Sequence, residues 1–300
     1  GNINESLIIS NQILNDNPNN FGALVNKAYV LNLLNNTKEA LIEIEKAEKI
    51  DPTDDVMLLN KGNILMKLGD SENALLCYDT ILKTDSDNIS AIVNKGNVLA
   101  KMKKYEDAYS SYNEALKIDP TDEIALLNKV GVLYELEKYD DSLKLCNTVL
   151  EIDPQNTIAL ARKGDIFIKL GKHDEAFSLF EDALKINPDS VEALLEKARA
   201  FDDIGEYNKE ITCLNHVLKI EPNNAIALAA KGLAYYTILQ PKKAVGLYNK
   251  ALKIQPRDVE TMIKKGHALQ KLSKTNAAME IFETALEIEP KNTHALSHIG

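Results

Sequence analysis

An all-α array of stacked helical hairpins is the fold this sequence predicts, and three observations predict it. Pro18, Pro52, Pro120, Pro154, Pro188, Pro222, Pro256 and Pro290 fall on one 34-residue grid, with Ser86 in its one other slot and only Pro241 off it. Between grid prolines, small and apolar residues recur at helical spacing, as in Ile92, Gly96, Leu99 and Met102 and then Ala108, Tyr112, Ala115 and Leu116. That is two amphipathic helices per interval. Two residues past each grid slot stands Asn20, Asp54, Asn88, Asp122, Asn156, Ser190, Asn224, Asp258 or Asn292, each able to accept from the orphan N–H groups of a helix start.

Taken in order, residues 1–20 read as a second-helix fragment, and complete helix pairs follow at 21–54, 55–88, 89–122, 123–156, 157–190, 191–224, 225–258 and 259–292, with 293–300 opening another. Within a pair the first helix stops at breaks such as Leu68-Gly69-Asp70, Met102-Lys103-Lys104 and Leu170-Gly171-Lys172. The second helix stops before the grid proline, because the residue preceding Pro is pushed out of the α region. Gly62, Gly96, Gly164, Gly232 and Gly266 share one column with Ala28, Val130 and Ala198. Glycine inside a helix costs about 1 kcal/mol against alanine, so close helix approach is expected there, facing the small columns of Ala108 and Ala115. Glu210 interrupts the Ala108 column, which predicts an opened or hinged junction in 191–224. Pro241 stands where a second helix begins, a position that tolerates proline.

Composition bounds the function classes. The 300 residues are 45% hydrophobic, 27% charged and 6% aromatic, with no Trp and a net charge of −10. A phosphate backbone would be repelled unless a basic face were segregated, so no nucleic-acid partner is expected. No apolar run approaches the eighteen or so residues a membrane helix needs, so no membrane partner is expected. The polar start Gly1 to Ser6 carries no signal peptide pattern, and a cytoplasmic location is the expectation. Cys77, Cys146 and Cys213 lie about two repeats apart, too far for a disulfide, and read as small buried hydrophobes.

The stretch NKGNVLAKMKKYEDAYSSYNEALKIDP at 94–120, together with the echoes EDALKINP at 181–188 and NKALKIQP at 249–256, resembles the tetratricopeptide repeat (TPR) family over essentially the whole chain. The resemblance implies one right-handed superhelical solenoid whose first helices line a concave, partner-binding groove. The columns of Ser90, Val93, Asn94, Asn97, Ala100 and Lys101 would line it. Family members that clamp a peptide carboxylate place Lys, Asn and Arg in this groove; Asn97, Asn128 and Arg162 match three of those places, but Val93 and Ile158 hold the two lysine places, which removes charge the clamp requires.

The candidate binding residues follow. Asn63, Asn94, Asn97 and Asn128 form an amide ladder able to bond a peptide backbone, Arg162 could meet an anion, and Ile226, Leu233 and Tyr236 form an apolar patch suited to a partner's side chain. Each has a structural alternative: solvated or bridging amides, and packing between repeats. The lysine column running from Lys27 through Lys61, Lys95, Lys129, Lys163, Lys197 and Lys231 to Lys265 reads as packed stems with snorkelling ammonium groups rather than an anion track. His294 and His298 have metal-ligand spacing but no third ligand. With no phosphate loop, zinc-protease helix or nucleophile elbow, no catalytic residue, metal or cofactor is expected. The sequence points to a non-catalytic protein-interaction scaffold holding a partner's extended peptide or helix. A regulatory or substrate-recruiting array of a larger enzyme and a scaffold that self-associates through its terminal helices are the alternatives.

Overall fold

The computed structural model describes residues 3–297. All regular structure among them is α-helix, in the order α1 (Ile3–Asp16), α2 (Phe21–Leu33), α3 (Thr37–Glu48), α4 (Asp55–Leu68), α5 (Ser71–Thr84), α6 (Ile89–Lys101), α7 (Tyr105–Ile118), α8 (Glu123–Glu135) and α9 (Tyr139–Ile152). The order continues with α10 (Thr157–Lys169), α11 (His173–Ile186), α12 (Val191–Asp203), α13 (Tyr207–Ile220), α14 (Ala225–Thr237), α15 (Pro241–Ile254), α16 (Val259–Lys271), α17 (Thr275–Ile288) and α18 (Thr293–Leu296). The chain forms two compact units, Gly1–Leu145 and Cys146–Gly300.

Local chemistry sets the punctuation. Every expected N-cap is made: Asn20, Asp54, Asn88, Asp122, Asn156, Ser190, Asn224, Asp258 and Asn292 each accept from the backbone N–H three residues on, at 2.7 to 3.4 Å. The turn inside each hairpin is as regular. Asn35, Gly69, Lys103, Glu137, Gly171, Gly205, Leu239 and Ser273 all have positive φ, again one every 34 residues. The residue after each donates its N–H to a carbonyl five back, as Asp70 does to Leu65 and Lys104 to Leu99, both at 2.9 Å. This left-handed cap satisfies carbonyls a helix end leaves open. Pro241 opens α15 as its first residue, where its missing N–H costs nothing.

Hairpin packing turns on the glycine column. A Cβ on Gly96 would lie 2.6 Å from Cε1 of Tyr112, and Gly62, Gly164 and Gly232 meet Tyr78, Phe180 and Tyr248 in the same way. The expected small-against-small contact is therefore glycine against an aromatic ring of the second helix, which is fully buried in each of these hairpins. Where the column holds alanine, the opposing residue is smaller: Ala28 shares a core with Ile44 and Ala198 with Leu214.

In the first unit α2 touches α4, α4 touches α6 and α6 touches α8, and α10 with α12 and α14 with α16 do the same in the second unit. Second helices have no comparable contact with one another among the described residues. The first helices therefore form the inner face of each unit.

Glu210 does not open its hairpin: α12 and α13 pack as fully as the other pairs, and Glu210 is buried between them. The irregularity lies beside it. α12 leans onto α10 further than any other first helix leans on its predecessor, and packs less on α11. Ala161, Ala193 and Ala200, all buried, leave room for that approach, and ion pairs described below span it.

Candidate functional site

In the first unit the inner face is an amide surface. Asn97 Oδ1 accepts from the Tyr112 hydroxyl at 2.7 Å and from Asn128 Nδ2 at 2.8 Å, and Asn97 Nδ2 donates to Asn94 Oδ1 at 3.5 Å. Asn63 Oδ1 accepts from the Tyr78 hydroxyl at 2.8 Å. Three of the expected amides are thus brought together, and two of the four candidates are also tied down to buried tyrosines. All four are half-buried, and an amide with two donors and two acceptor sites keeps capacity beyond one or two internal bonds. Val56 and Ile124 stand in one column beside them, 59% and 61% exposed.

The second unit carries charge instead. Arg162 Nη2 meets Glu192 Oε1 at 2.8 Å, so the arginine expected to greet an anion already faces a carboxylate of the next first helix. Arg199 spreads its fork over two buried carboxylates, Asp165 at 3.3 Å and Glu196 at 2.6 Å. Burial pushes the Glu196 carboxyl up to about 7, opposed by Arg199 and reinforced by Asp165. Asp202 is also raised, by burial and by Asp203, with Lys264 pulling the other way. The sequence reading missed Glu192 and Glu196. The signal was present: the column that reads Asn26, Asn60, Asn94 and Asn128 switches to Arg162 and Glu196.

Ile226, Leu233 and Tyr236 stand on the inner face of α14, Ile226 being 64% exposed. Tyr236 borders a shallow concavity of about 520 Å³ completed by His267, Gln270 and Lys271 of α16. Leu233 occupies the place that Asn63 and Asn97 hold in their hairpins. Beneath it the Tyr248 hydroxyl, fully buried, has no hydrogen-bond partner.

The lysine column faces elsewhere. Lys27 pairs with Glu43 at 3.2 Å, Lys61 with Glu48 at 2.6 Å, Lys95 with Asp79 at 2.7 Å and Lys197 with Glu181 at 3.8 Å. Lys129 lies over the Tyr109 ring and Lys163 donates to Asn147. These are local pairs with the second helices. The cysteines are buried or half-buried free thiols, and burial pushes Cys146 up to about 12. Among the described residues no cluster of three or more metal-ligating side chains occurs, and no helix is long and apolar enough to cross a membrane. His298 of the paired histidines lies outside the described residues.

Family models described as tetratricopeptide repeat match residues 21–54, 56–88 and 259–292, residues 89–122, residues 127–191 and residues 167–234. No curated protein sequence matches the chain. Among solved structures, a tetratricopeptide repeat protein from Parabacteroides merdae superposes with a TM-score of 0.56 at 20% identity, covering 81% of this chain and 96% of its own. The Cut9–Hcn1 hetero-tetramer of the APC/C gives a TM-score of 0.60 at 15% identity, covering 92% of this chain and 54% of the matched one. At these identities the likeness is one of fold.

Proposed function

Because the chain belongs to the tetratricopeptide repeat family, we propose that it is a protein-interaction scaffold whose first-helix face holds an extended peptide or a helix of a partner protein. The carrying observation is that Val56, Ile124, Ile158 and Ile226 are apolar and exposed on first helices of both units, four members of one column that is polar at Ser90, Glu192 and Glu260. Hairpin packing does not require these side chains to be apolar, and exposed apolar groups interspersed with polar ones beside part-used amides suit a surface that meets another chain. The contact residues are Asn63, Asn94, Asn97 and Asn128 on the first-helix face of the first unit and Arg162, Ile226, Leu233 and Tyr236 on that of the second. Arg162 acts there with Glu192 rather than as a lone anion receptor.

A photo-crosslinking residue placed at Ile226 or Ile124 tests it against one placed at Leu76, which is exposed on the second helix α5. Partner adducts concentrated at the two inner positions are expected. Adducts equally abundant at Leu76, or absent from the inner positions, would overturn the assignment.

A further inference from the structure

Two columns of the inner face change chemistry in step along three successive first helices. Asp202, Tyr236 and Gln270 form one column, 34 residues apart, and Asp203, Thr237 and Lys271 the column beside it. α12 therefore presents carboxylates, α14 an aromatic with Leu233 beside it, and α16 an amide and an ammonium. The flanks deepen the contrast. On α10 and α12 also stand Asp165, Glu192 and Glu196, three carboxylates against the two guanidiniums of Arg162 and Arg199. Beside Lys271 stand His267 and Lys264, the latter paired with Glu260 at 2.7 Å. Lys264 of α16 opposes the burial that raises Asp202 of α12.

We infer that this face of the second unit selects an extended peptide carrying a basic residue, an apolar residue and an acidic residue in a row, the apolar side chain seated against Tyr236 and Leu233. The inference rests on the scaffold reading above and adds the chemistry of the partner. Charge complementarity sets the order: a cation over Asp202 and Asp203, an anion beside Lys271 and His267. Geometry sets the spacing. Helices in contact, as α14 and α16 are, lie about 10 Å apart and an extended chain advances about 3.3 Å per residue, so the apolar and acidic residues of the peptide fall about three positions apart and the basic residue at least as far on the other side. Opposite charges at the two ends also fix its direction, since reversing the peptide sets like charges against each other.

The test uses the full chain and three fluorescent peptides in an anisotropy titration: Arg-Ser-Ser-Phe-Ser-Ser-Glu, the same peptide with Arg and Glu exchanged, and a neutral version with Gln at both ends. At least one charged order should bind about tenfold tighter than the neutral peptide, the yield of two modest ion pairs; the exchanged order meets the same charges only by running in the opposite direction, so a difference between the two orders reads the direction of the backbone. Asp202→Asn with Asp203→Asn, or Lys271→Gln alone, should erase that preference while helix content stays unchanged. Equal affinity for all three peptides, or a preference that survives these substitutions, overturns the inference. If the neutral peptide binds as well as the others and Tyr236→Ala weakens all three, the scaffold reading stands and the charge code falls. If no peptide binds, the charge code falls, and the crosslinking contrast between Ile226 and Leu76 decides the scaffold reading separately.

Discussion

Replacing Gly96 with alanine should destabilise the α6–α7 hairpin, although alanine is the better helix former. The added Cβ would stand 2.6, 3.0 and 3.1 Å from Cε1, Cζ and Cδ1 of Tyr112, where carbon contacts prefer about 3.5–4.0 Å. The ring would have to retreat by about 1 Å, yet it is 1% exposed among Ile92, Leu99 and Val132, and its hydroxyl is held by Asn97. Overpacking of this kind costs about 1–3 kcal/mol, and a loosened hydroxyl bond adds about 1 kcal/mol. Helix propensity returns about 1 kcal/mol. The net expectation is a loss of about 1–3 kcal/mol. Adding Tyr112→Leu to Gly96→Ala recreates the pairing that Ala198 and Leu214 already use, so the double variant should lose less than the two single losses together, with a coupling of at least about 1 kcal/mol. Repeat arrays do not unfold in one step, so the assay is amide hydrogen exchange, read as local opening free energies in α6 and α7. A neutral or stabilising Gly96→Ala, or additive single losses, would refute the reasoning.

Other perturbations test other parts of the structure. Burial, with Asp202 second, lifts the Glu210 carboxyl from 4.5 to about 8; an acid raised on folding stabilises below its unfolded pKa and loses that contribution as pH climbs through the folded one. Local opening free energies of α12 and α13 from amide exchange should therefore show Glu210→Ala gaining on the parent as pH rises between those values, and parallel pH profiles would contradict this. Leu233→Asn offers the Tyr248 hydroxyl the acceptor that Tyr78 and Tyr112 have, so it should raise stability by about 1 kcal/mol while weakening capture of a Phe-bearing peptide; a loss of both would mean that the hydroxyl stays unbonded. Leu239 is 83% exposed with φ of 59°, and Leu239→Gly should stabilise α14–α15 by about 1 kcal/mol by removing the left-handed penalty, whereas any loss of thermal stability would show that the side chain holds the turn.

The sequence made the frame legible because its signals act over three or four residues. A cap such as Asn88 bonds the third residue along, and a proline excludes helix at its neighbour. The breaks were legible at Gly69, Lys103 and Gly171, but a left-handed conformation only where glycine marks it. Lys103, Glu137, Leu239 and Ser273 adopt the same φ because hairpin geometry overrides residue preference. The amide column was equally visible, but not its orientation. Asn97 turns toward Tyr112, fifteen residues on, and toward Asn128 in the next repeat, and neither distance is local. The charged cluster around Glu196 depends on α12 leaning onto α10, which the small residues Ala161, Ala193 and Ala200 permit only jointly.

The ring column and the inner face are also chemically coupled, and one hairpin departs from the rule. Tyr78 and Tyr112 come with Asn63 and Asn97 as acceptors. Where the inner face holds Asp165 or His267, the ring is Phe180 or Phe282 and needs no acceptor. Tyr248 alone combines a buried hydroxyl with an apolar residue, Leu233, in the acceptor's place, and it is left unbonded. An unsatisfied buried group costs about 1–3 kcal/mol, and either phenylalanine in the core or asparagine on the face would have removed the cost. Local inconsistencies of this size gather where a surface serves something other than the fold. Leu233 adds apolar area beside Ile226 and Tyr236, between a carboxylate row and an ammonium, so the sacrifice in the core falls under the patch to which the peptide's apolar side chain is assigned.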